Sequence, residues 1–206
     1  MPAQTLTVDA FVLVKRPAAA DGWLTLTLFS GEHGSLSARQ RLPKRSAGSQ
    51  VILDLFDEVS VALESSNQGR TWFVREARLI ARQTALGRSY AALQAASAFA
   101  LLLARNPVPP ESRPSVLELL RTAFAAFARS DRPEIVAFKS WYCFARDEGY
   151  PIKQEWFASL SPEDRIAAAE LINRPLAEQT KPPETVAHLQ GRLEDYLRTH
   201  TEIALD

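Results

Sequence analysis

The spacing of apolar residues changes near residue 82, and this change constrains the fold more than any other feature of the sequence. Before it, apolar and polar side chains alternate, as in TLTVDAFVLVKR and GWLTLTLFS, which is the pattern of half-buried strands. After it, apolar residues recur at the spacing of amphipathic helices. The sequence therefore predicts an α+β chain in which strands precede helices.

Five predicted strands in residues 1–82 are separated by short turn-forming segments. The segment SGEHG has glycines at positions 31 and 34, which tolerate the backbone angles of a tight turn, and residues 65–69 are SSNQG. Strands joined in this way favour a small antiparallel barrel, and the OB-fold is a five-stranded barrel that binds oligonucleotides and oligosaccharides. We therefore expect an N-terminal five-stranded OB-fold barrel, a nucleic-acid-binding domain, over residues 1–82.

Residues 83–206 are expected to form a C-terminal α-helical domain that binds partners. Ser115 and Glu118 have the spacing of a capping box, and Ser161, followed by a proline, marks another helix start. The apolar stripe predicted for the first helix consists of Leu86, Tyr90 and Leu93.

The composition argues against catalysis and against membrane insertion. The three histidines lie in no recognisable catalytic motif, and the single cysteine, Cys143, can form neither an intramolecular disulfide nor a paired zinc-binding motif. The longest apolar run, AASAFALLLA, is far shorter than the roughly 20 residues of a membrane span, and the N-terminus lacks the pattern of an export signal. The sequence therefore predicts a cytoplasmic protein that is not an enzyme and has no cofactor or metal.

Positive charge is concentrated after the SGEHG turn. No acidic residue occurs between Glu32 and Asp54, and the four cations of this interval are Arg39, Arg41, Lys44 and Arg45. Clustered Lys and Arg bind phosphates, which predicts a nucleic-acid interface, although a solvated hairpin tip has the same composition. The aromatic residues available either to stack on bases or to fill the core are Trp23, Phe29, Trp72 and Phe73.

The order of these segments resembles the N-terminal domain of the RecO family of recombination mediators. Phe11-Val12-Leu13 is followed by LTLFSGEHGSLSA and then by the basic stretch from Arg39 to Ser49, with the order and spacing of that family. The helix end at Glu148-Gly149-Tyr150 is also similar to RecO. The resemblance covers nearly the whole chain and is stronger before residue 82 than after it.

This resemblance implies a mediator of DNA repair and homologous recombination. RecO proteins bind single- and double-stranded DNA, anneal complementary strands, join RecR, and help to load RecA onto DNA coated by single-strand-binding protein (SSB), which places them in the cytoplasm at the nucleoid. The positions that match the DNA-binding cations of the family are Arg39, Arg41, Lys44, Arg45, Lys15, Arg16 and Arg70. The nearest basic match to the site that receives the acidic C-terminal tail of SSB is Lys139.

Two features depart from the family pattern. Many RecO proteins carry a four-cysteine zinc module after the Gly-Tyr helix end, whereas this chain has PIKQEWFASLSPEDR there, without a cysteine. The family's Ala-Lys-Gly-Ala-Arg loop corresponds here to Ala38-Arg39-Gln40-Arg41-Leu42, so Gln40 replaces the glycine. These differences indicate a zinc-free or shortened member and leave the path of the loop open.

Two other classes of function remain compatible with the sequence. One is an OB-fold RNA-binding protein, and the other is a protein-interaction module whose basic segment is solvated. A flat salt dependence of binding would favour the interaction module, and a preference for RNA over DNA would favour the RNA-binding protein.

Overall fold

The chain divides into two compact units. The structure is a computed structural model that describes residues 4–18, 22–43, 51–65 and 68–205. The first unit comprises Met1–Gln83 and Pro107–Arg121, and the second comprises Thr84–Asn106 and Thr122–Asp206. The predicted order of a five-stranded sheet followed by helices is confirmed. Residues 107–121, which the sequence assigns to the helical domain, group with the sheet.

Five strands form the sheet of the first unit. They are β1 (Gln4–Pro17), β2 (Trp23–Ser30), β3 (Gly34–Arg41), β4 (Glu58–Ser65) and β5 (Trp72–Ala81). They pair in the order β1-β2-β3-β5-β4, and β4 pairs in turn with β1. Only the short contact of β3 with β5 is parallel, and it places Ala38 beside Trp72 and Arg39 beside Phe73.

One face of this sheet, the inner face, holds the apolar core. Alternate residues of each strand contribute to it, as the period of two predicts. The buried residues of this core are Val8, Ala10, Val12, Leu24, Leu26, Leu28, Ala38, Leu53, Val59, Val61, Leu63, Trp72 and Val74. The opposite side of the strands is called the outer face below.

A bulge in β1 changes which of its cations lies on the outer face. The register between β1 and β2 shifts between Val12 and Val14. After the shift Lys15 pairs with Leu26, which belongs to the inner face, so Lys15 is aligned with the inner face as well. The next residue, Arg16, therefore lies on the outer face. The sequence pattern alone predicts an unbroken alternation, so it does not reveal this difference.

The third and fourth strands differ in extent from the prediction. The sequence predicts Arg39 and Arg41 in a loop, but β3 continues through Arg41. The strand continues because Gln40 occupies the buried half of the alternation and the two arginines occupy the exposed half. The sequence QVILDLFDEVSVALES, which begins at residue 50, predicts one long fourth strand, but β4 begins at Glu58.

Polar side chains shape the described end of the connection between β3 and β4. The Nε2 of Gln40 donates to the Val51 carbonyl oxygen at 2.7 Å, and its Oε1 accepts from the Leu53 N–H at 3.0 Å. The carboxylate of Asp57 accepts from the Asp54 N–H at 2.8 Å. These bonds replace a strand ladder with irregular chain, which explains why residues 51–57 do not extend β4.

Six α-helices follow within the described residues. They are α1 (Tyr90–Arg105), α2 (Arg113–Arg129), α3 (Pro133–Asp147), α4 (Trp156–Ser159), α5 (Pro162–Asn173) and α6 (Pro183–His200). A 3₁₀ turn, Thr84–Arg88, precedes α1, and another, Leu176–Glu178, lies between α5 and α6. Within the described ranges, none of these helices has the length and apolarity needed to cross a membrane.

One of the two predicted helix starts is confirmed and the other is wrong. Ser161 caps α5 as predicted, since its Oγ accepts from the Asp164 N–H at 3.1 Å. The capping box at Ser115 is wrong, because α2 begins earlier, at Arg113. Tyr90 is also wrong as a core residue: it is the first residue of α1 and is 80% exposed.

Candidate nucleic-acid interface

Three arginines share the outer face of β1 and β3. In the register of the sheet, Thr25 of β2 lies between Arg16 of β1 and Arg39 of β3, and Trp23 lies opposite Arg41. Neighbouring strands are about 4.8 Å apart and strand residues rise about 3.3 Å, so the backbones of Arg16 and Arg39 are about 10 Å apart and those of Arg39 and Arg41 about 7 Å. The side chains of Arg16, Arg39 and Arg41 are named the cationic face.

The arginines of the cationic face are exposed and unpaired. Within the described part of the chain, none of the three side chains makes a hydrogen bond, an ion pair or a ring contact. A guanidinium has five N–H donors in a planar arrangement that matches phosphate geometry. As far as the described residues are concerned, these donors are therefore available for a ligand.

Lys15 was also predicted to bind phosphate, but it is held by the protein itself. Its Nζ lies 3.0 Å from Oδ1 of Asp54. Partial burial raises the pKa of Asp54, but the hydrogen bonds from Lys15 and from the Leu55 N–H outweigh burial and lower it. The charge of Lys15 is therefore already compensated.

The other predicted cations of the first unit lie elsewhere or outside the described residues. Lys44 and Arg45 lie outside the described residues. Arg70 is exposed in the connection between β4 and β5, just before β5 begins. Because β5 starts beside Ala38 and runs parallel to β3, Arg70 lies toward the start of β3, away from Arg41.

The acidic residue nearest to the cationic face in the register is compensated. Glu64 of β4 pairs with Phe73 of β5, which in turn pairs with Arg39. The Nε of Arg75 donates to the Glu64 carboxylate at 2.6 Å, and this hydrogen bond lowers the pKa of Glu64. The pair contributes no net charge, so this glutamate does not offset the positive charge of the cationic face.

Two of the four candidate aromatic residues border the cationic face. Phe29 and Trp72 are buried, whereas Trp23 and Phe73 are only half-buried. The rings of Trp23 and Phe73 meet edge to face, with centroids 5.7 Å apart and planes at 78°. Trp72 and Phe73 are consecutive in a strand and therefore point to opposite faces. Trp23 and Phe73 are named the aromatic pair.

The second unit has a separate cationic surface. A groove of about 530 Å³, named the cationic groove, is lined by Tyr142, Arg146, Lys153, Phe157, Ala158, Arg165, Ala169, Ile172 and Asn173. Arg165 is anchored there because its guanidinium donates to three backbone carbonyl oxygens. Lys153 is exposed and has no partner among the residues that the structure describes. The sequence prediction missed this groove because it did not include the short helix α4.

Lys139, the predicted contact for the SSB tail, does not line the cationic groove. Its Nζ donates to the Arg174 carbonyl oxygen at 2.6 Å. Burial lowers the pKa of Lys139. Its ammonium group is therefore engaged in holding the end of α5.

No protein-family model matches the chain, and no curated protein matches it.

Proposed function

We propose that the chain is a RecO-type mediator of DNA repair and homologous recombination. It binds single- and double-stranded DNA through the first unit, anneals complementary strands, and together with RecR helps to load RecA onto SSB-coated DNA at the nucleoid. This activity makes and breaks no covalent bond, so the protein acts without catalysis or cofactor. The observation that carries the proposal is the cationic face, where three exposed arginines have no anionic partner among the described residues.

The strand order supports an OB-fold as the scaffold of this activity. Five strands in the order β1-β2-β3-β5-β4, with β4 pairing back to β1, form a closed barrel. OB-folds bind oligonucleotides with the face of their second and third strands and with the loops after the first and fourth strands. Arg39 and Arg41 lie on β3, Arg16 lies at the end of β1, and Arg70 lies in the loop after β4. The described cations thus occupy positions that an OB-fold uses for its ligand.

Charge neutralisation accounts for annealing. Two complementary strands repel each other through their phosphates, and arginines that neutralise phosphates release the condensed counterions. A protein that holds one strand on a cationic surface lowers the repulsion met by the second strand. The cationic face therefore supplies what annealing requires.

The cationic groove is the better candidate for the acidic SSB tail than Lys139. An acidic peptide with apolar side chains needs cations beside an apolar floor. The groove combines Lys153 and Arg165, whose charge no carboxylate among its described bonded partners compensates, with Phe157 and Ile172. Arg146 also lines it but is paired with Asp147. We expect Lys153→Glu to weaken binding of a fluorescent acidic tail peptide at least tenfold and Lys139→Ala to leave it within a factor of two. The opposite result would return the tail site to Lys139.

Salt dependence of DNA binding tests the role of the cationic face. For single strands, each phosphate contact adds about 0.7 to the slope of log affinity against log salt, so replacing Arg16, Arg39 and Arg41 with alanine should reduce the slope by about 2. Fluorescence anisotropy with a labelled oligo(dT), between about 50 and 200 mM salt, measures this slope. Arg39→Met and Lys15→Met form a matched pair, because each removes one cation from the same unit. We expect the smaller effect from Lys15→Met, since Asp54 already compensates Lys15.

Annealing on SSB-coated complementary strands distinguishes a mediator from a simple binder. The wild type should anneal these strands, and the triple alanine variant should not. A flat salt response in the wild type would contradict the proposal and favour an interaction module. Tighter binding to RNA than to DNA of the same sequence would favour the RNA-binding alternative, because only RNA offers the 2′-hydroxyl.

A further inference from the structure

The aromatic pair is placed where a nucleic-acid base would meet it. Trp23 lies directly opposite Arg41, and Phe73 lies directly opposite Arg39. Side chains directly opposite on neighbouring strands have Cβ atoms about 5 Å apart. Each aromatic ring therefore has an unpaired arginine as its lateral neighbour on the same face.

The edge-to-face geometry leaves ring surface available. With the planes at 78°, the edge of one ring contacts one face of the other, so the pair leaves three of its four ring faces uncovered by each other. None of the arginines of the cationic face covers a ring, since no ring contact involves them among the described residues. With respect to the residues that the structure describes, an aromatic surface bordered by cations is therefore open to a flat, anionic ligand.

We infer that Trp23 and Phe73 form a stacking platform for an unpaired base of single-stranded DNA, while Arg39 and Arg41 hold the phosphates beside it. The inference rests on the proposed function and goes beyond it by giving the site a preference for single strands. A base in a duplex already stacks on its neighbours and cannot lie on a protein ring, whereas a base in a single strand can. Phosphate contacts alone do not make this distinction, because both forms of DNA have them.

Intrinsic fluorescence reports on this platform. The chain has four tryptophans, and three of them, Trp72, Trp141 and Trp156, are at most 8% exposed. Trp23 is half-buried at the surface and is the one that a bound base can reach. Stacking of a base should therefore quench the emission of Trp23 and leave the emission of the other three nearly unchanged.

The first test titrates the full-length protein with oligo(dT) at low salt and follows tryptophan emission together with anisotropy of the labelled DNA. We expect quenching with oligo(dT) and much less with an oligonucleotide whose central bases are replaced by abasic sites. Trp23→Phe should abolish the quenching and keep the affinity within a few-fold, because phenylalanine also stacks. Binding of oligo(dT) without any quenching would overturn the inference and leave the proposed function standing.

The second test compares single and double strands. Trp23→Leu and Phe73→Leu should each weaken binding of oligo(dT) by about 5- to 150-fold, the range expected for loss of one base stack, and should leave duplex affinity within a few-fold. Equal losses for both forms of DNA would overturn the inference. Circular dichroism should be used to check that each leucine variant is folded. If a leucine variant does not fold, Trp23→Phe still tests the inference. Absence of any anisotropy change with either DNA would instead refute the proposed function and the inference with it.

Discussion

Replacing Gln40 with leucine removes a side chain that links the end of β3 to residues 51–53, which lead into β4. Gln40 is 1% exposed, and it donates to the Val51 carbonyl oxygen at 2.7 Å and accepts from the Leu53 N–H at 3.0 Å. Leucine has a similar volume and no polar atom. The substitution therefore deletes both hydrogen bonds while it keeps the space filled.

The expected loss of stability follows from the environment of the two backbone groups. The Leu53 N–H is buried, and a buried donor without a partner costs about 1–3 kcal/mol. The Val51 carbonyl is only part-buried, so its loss costs about 1 kcal/mol at most, and the added apolar area of leucine offsets a similar amount. The net loss is about 1–3 kcal/mol. With a urea m-value of about 2 kcal/mol per molar, the midpoint should fall by about 0.5–1.5 M.

Urea denaturation followed by far-UV circular dichroism measures this change, and amide exchange of residues 51–57 shows whether it is local. Ser37→Ala is the matched control, because Ser37 lies exposed on the same strand and its replacement should stay within about 0.5 kcal/mol. Gln40→Leu should also weaken oligo(dT) binding without any change of charge, since Arg39 and Arg41 flank it. Equal midpoints for the two variants would refute the argument that Gln40 holds this connection.

Three further predictions concern other parts of the fold. Asp57→Ala should lower the midpoint of thermal unfolding by about 6–12 °C, since breaking a buried ion pair costs about 3 kcal/mol. The buried carboxylate of Asp57 accepts two hydrogen bonds from Arg82, at 2.7 and 2.5 Å. An unchanged midpoint would contradict this prediction. Gly34→Ala should cost about 1–2 kcal/mol in urea denaturation, because residue 34 has φ +69° and a Cβ there would lie 2.9 Å from Nε of Arg113; stabilisation would show that the turn relaxes. Burial raises the pKa of Cys143, so at pH 8 a smaller fraction of it is thiolate than in a free thiol. Alkylation by iodoacetamide should therefore be several-fold slower than for a free thiol and should accelerate as the pH rises. A rate equal to that of a small thiol would contradict this prediction.

The alternation of side chains made much of the sheet predictable from the sequence. The period of two in β2 correctly places Leu24, Leu26 and Leu28 inside. It did not separate Lys15 from Arg16 as ligands for phosphate, because that depends on a bulge and on an ion pair between residues distant in the sequence. A local pattern contains neither a register shift nor a tertiary partner, so these features required the fold.

The extents of β3 and β4 could not be predicted from the sequence for a related reason. QVILDLFDEV has the composition of a strand, yet Gln40 and Asp57 bind the backbone of residues 51–54 and prevent its pairing as a strand. The cationic groove was missed because its lining comes from α3, α5 and the intervening segment that contains α4. Such a set of residues becomes adjacent only after the helices pack.

Like charges without a partner indicate a ligand because they cost free energy when the ligand is absent. Two unit charges about 7–12 Å apart in water repel by about 0.3–0.6 kcal/mol, and the three arginines of the cationic face form three such pairs. Two other cations of the same unit are paired, since Asp54 binds Lys15 and Glu64 binds Arg75. A phosphate backbone reverses the sign of the interaction on the cationic face. The Debye length at physiological salt, about 8 Å, is close to the spacing of these arginines, so salt should weaken the bound state steeply.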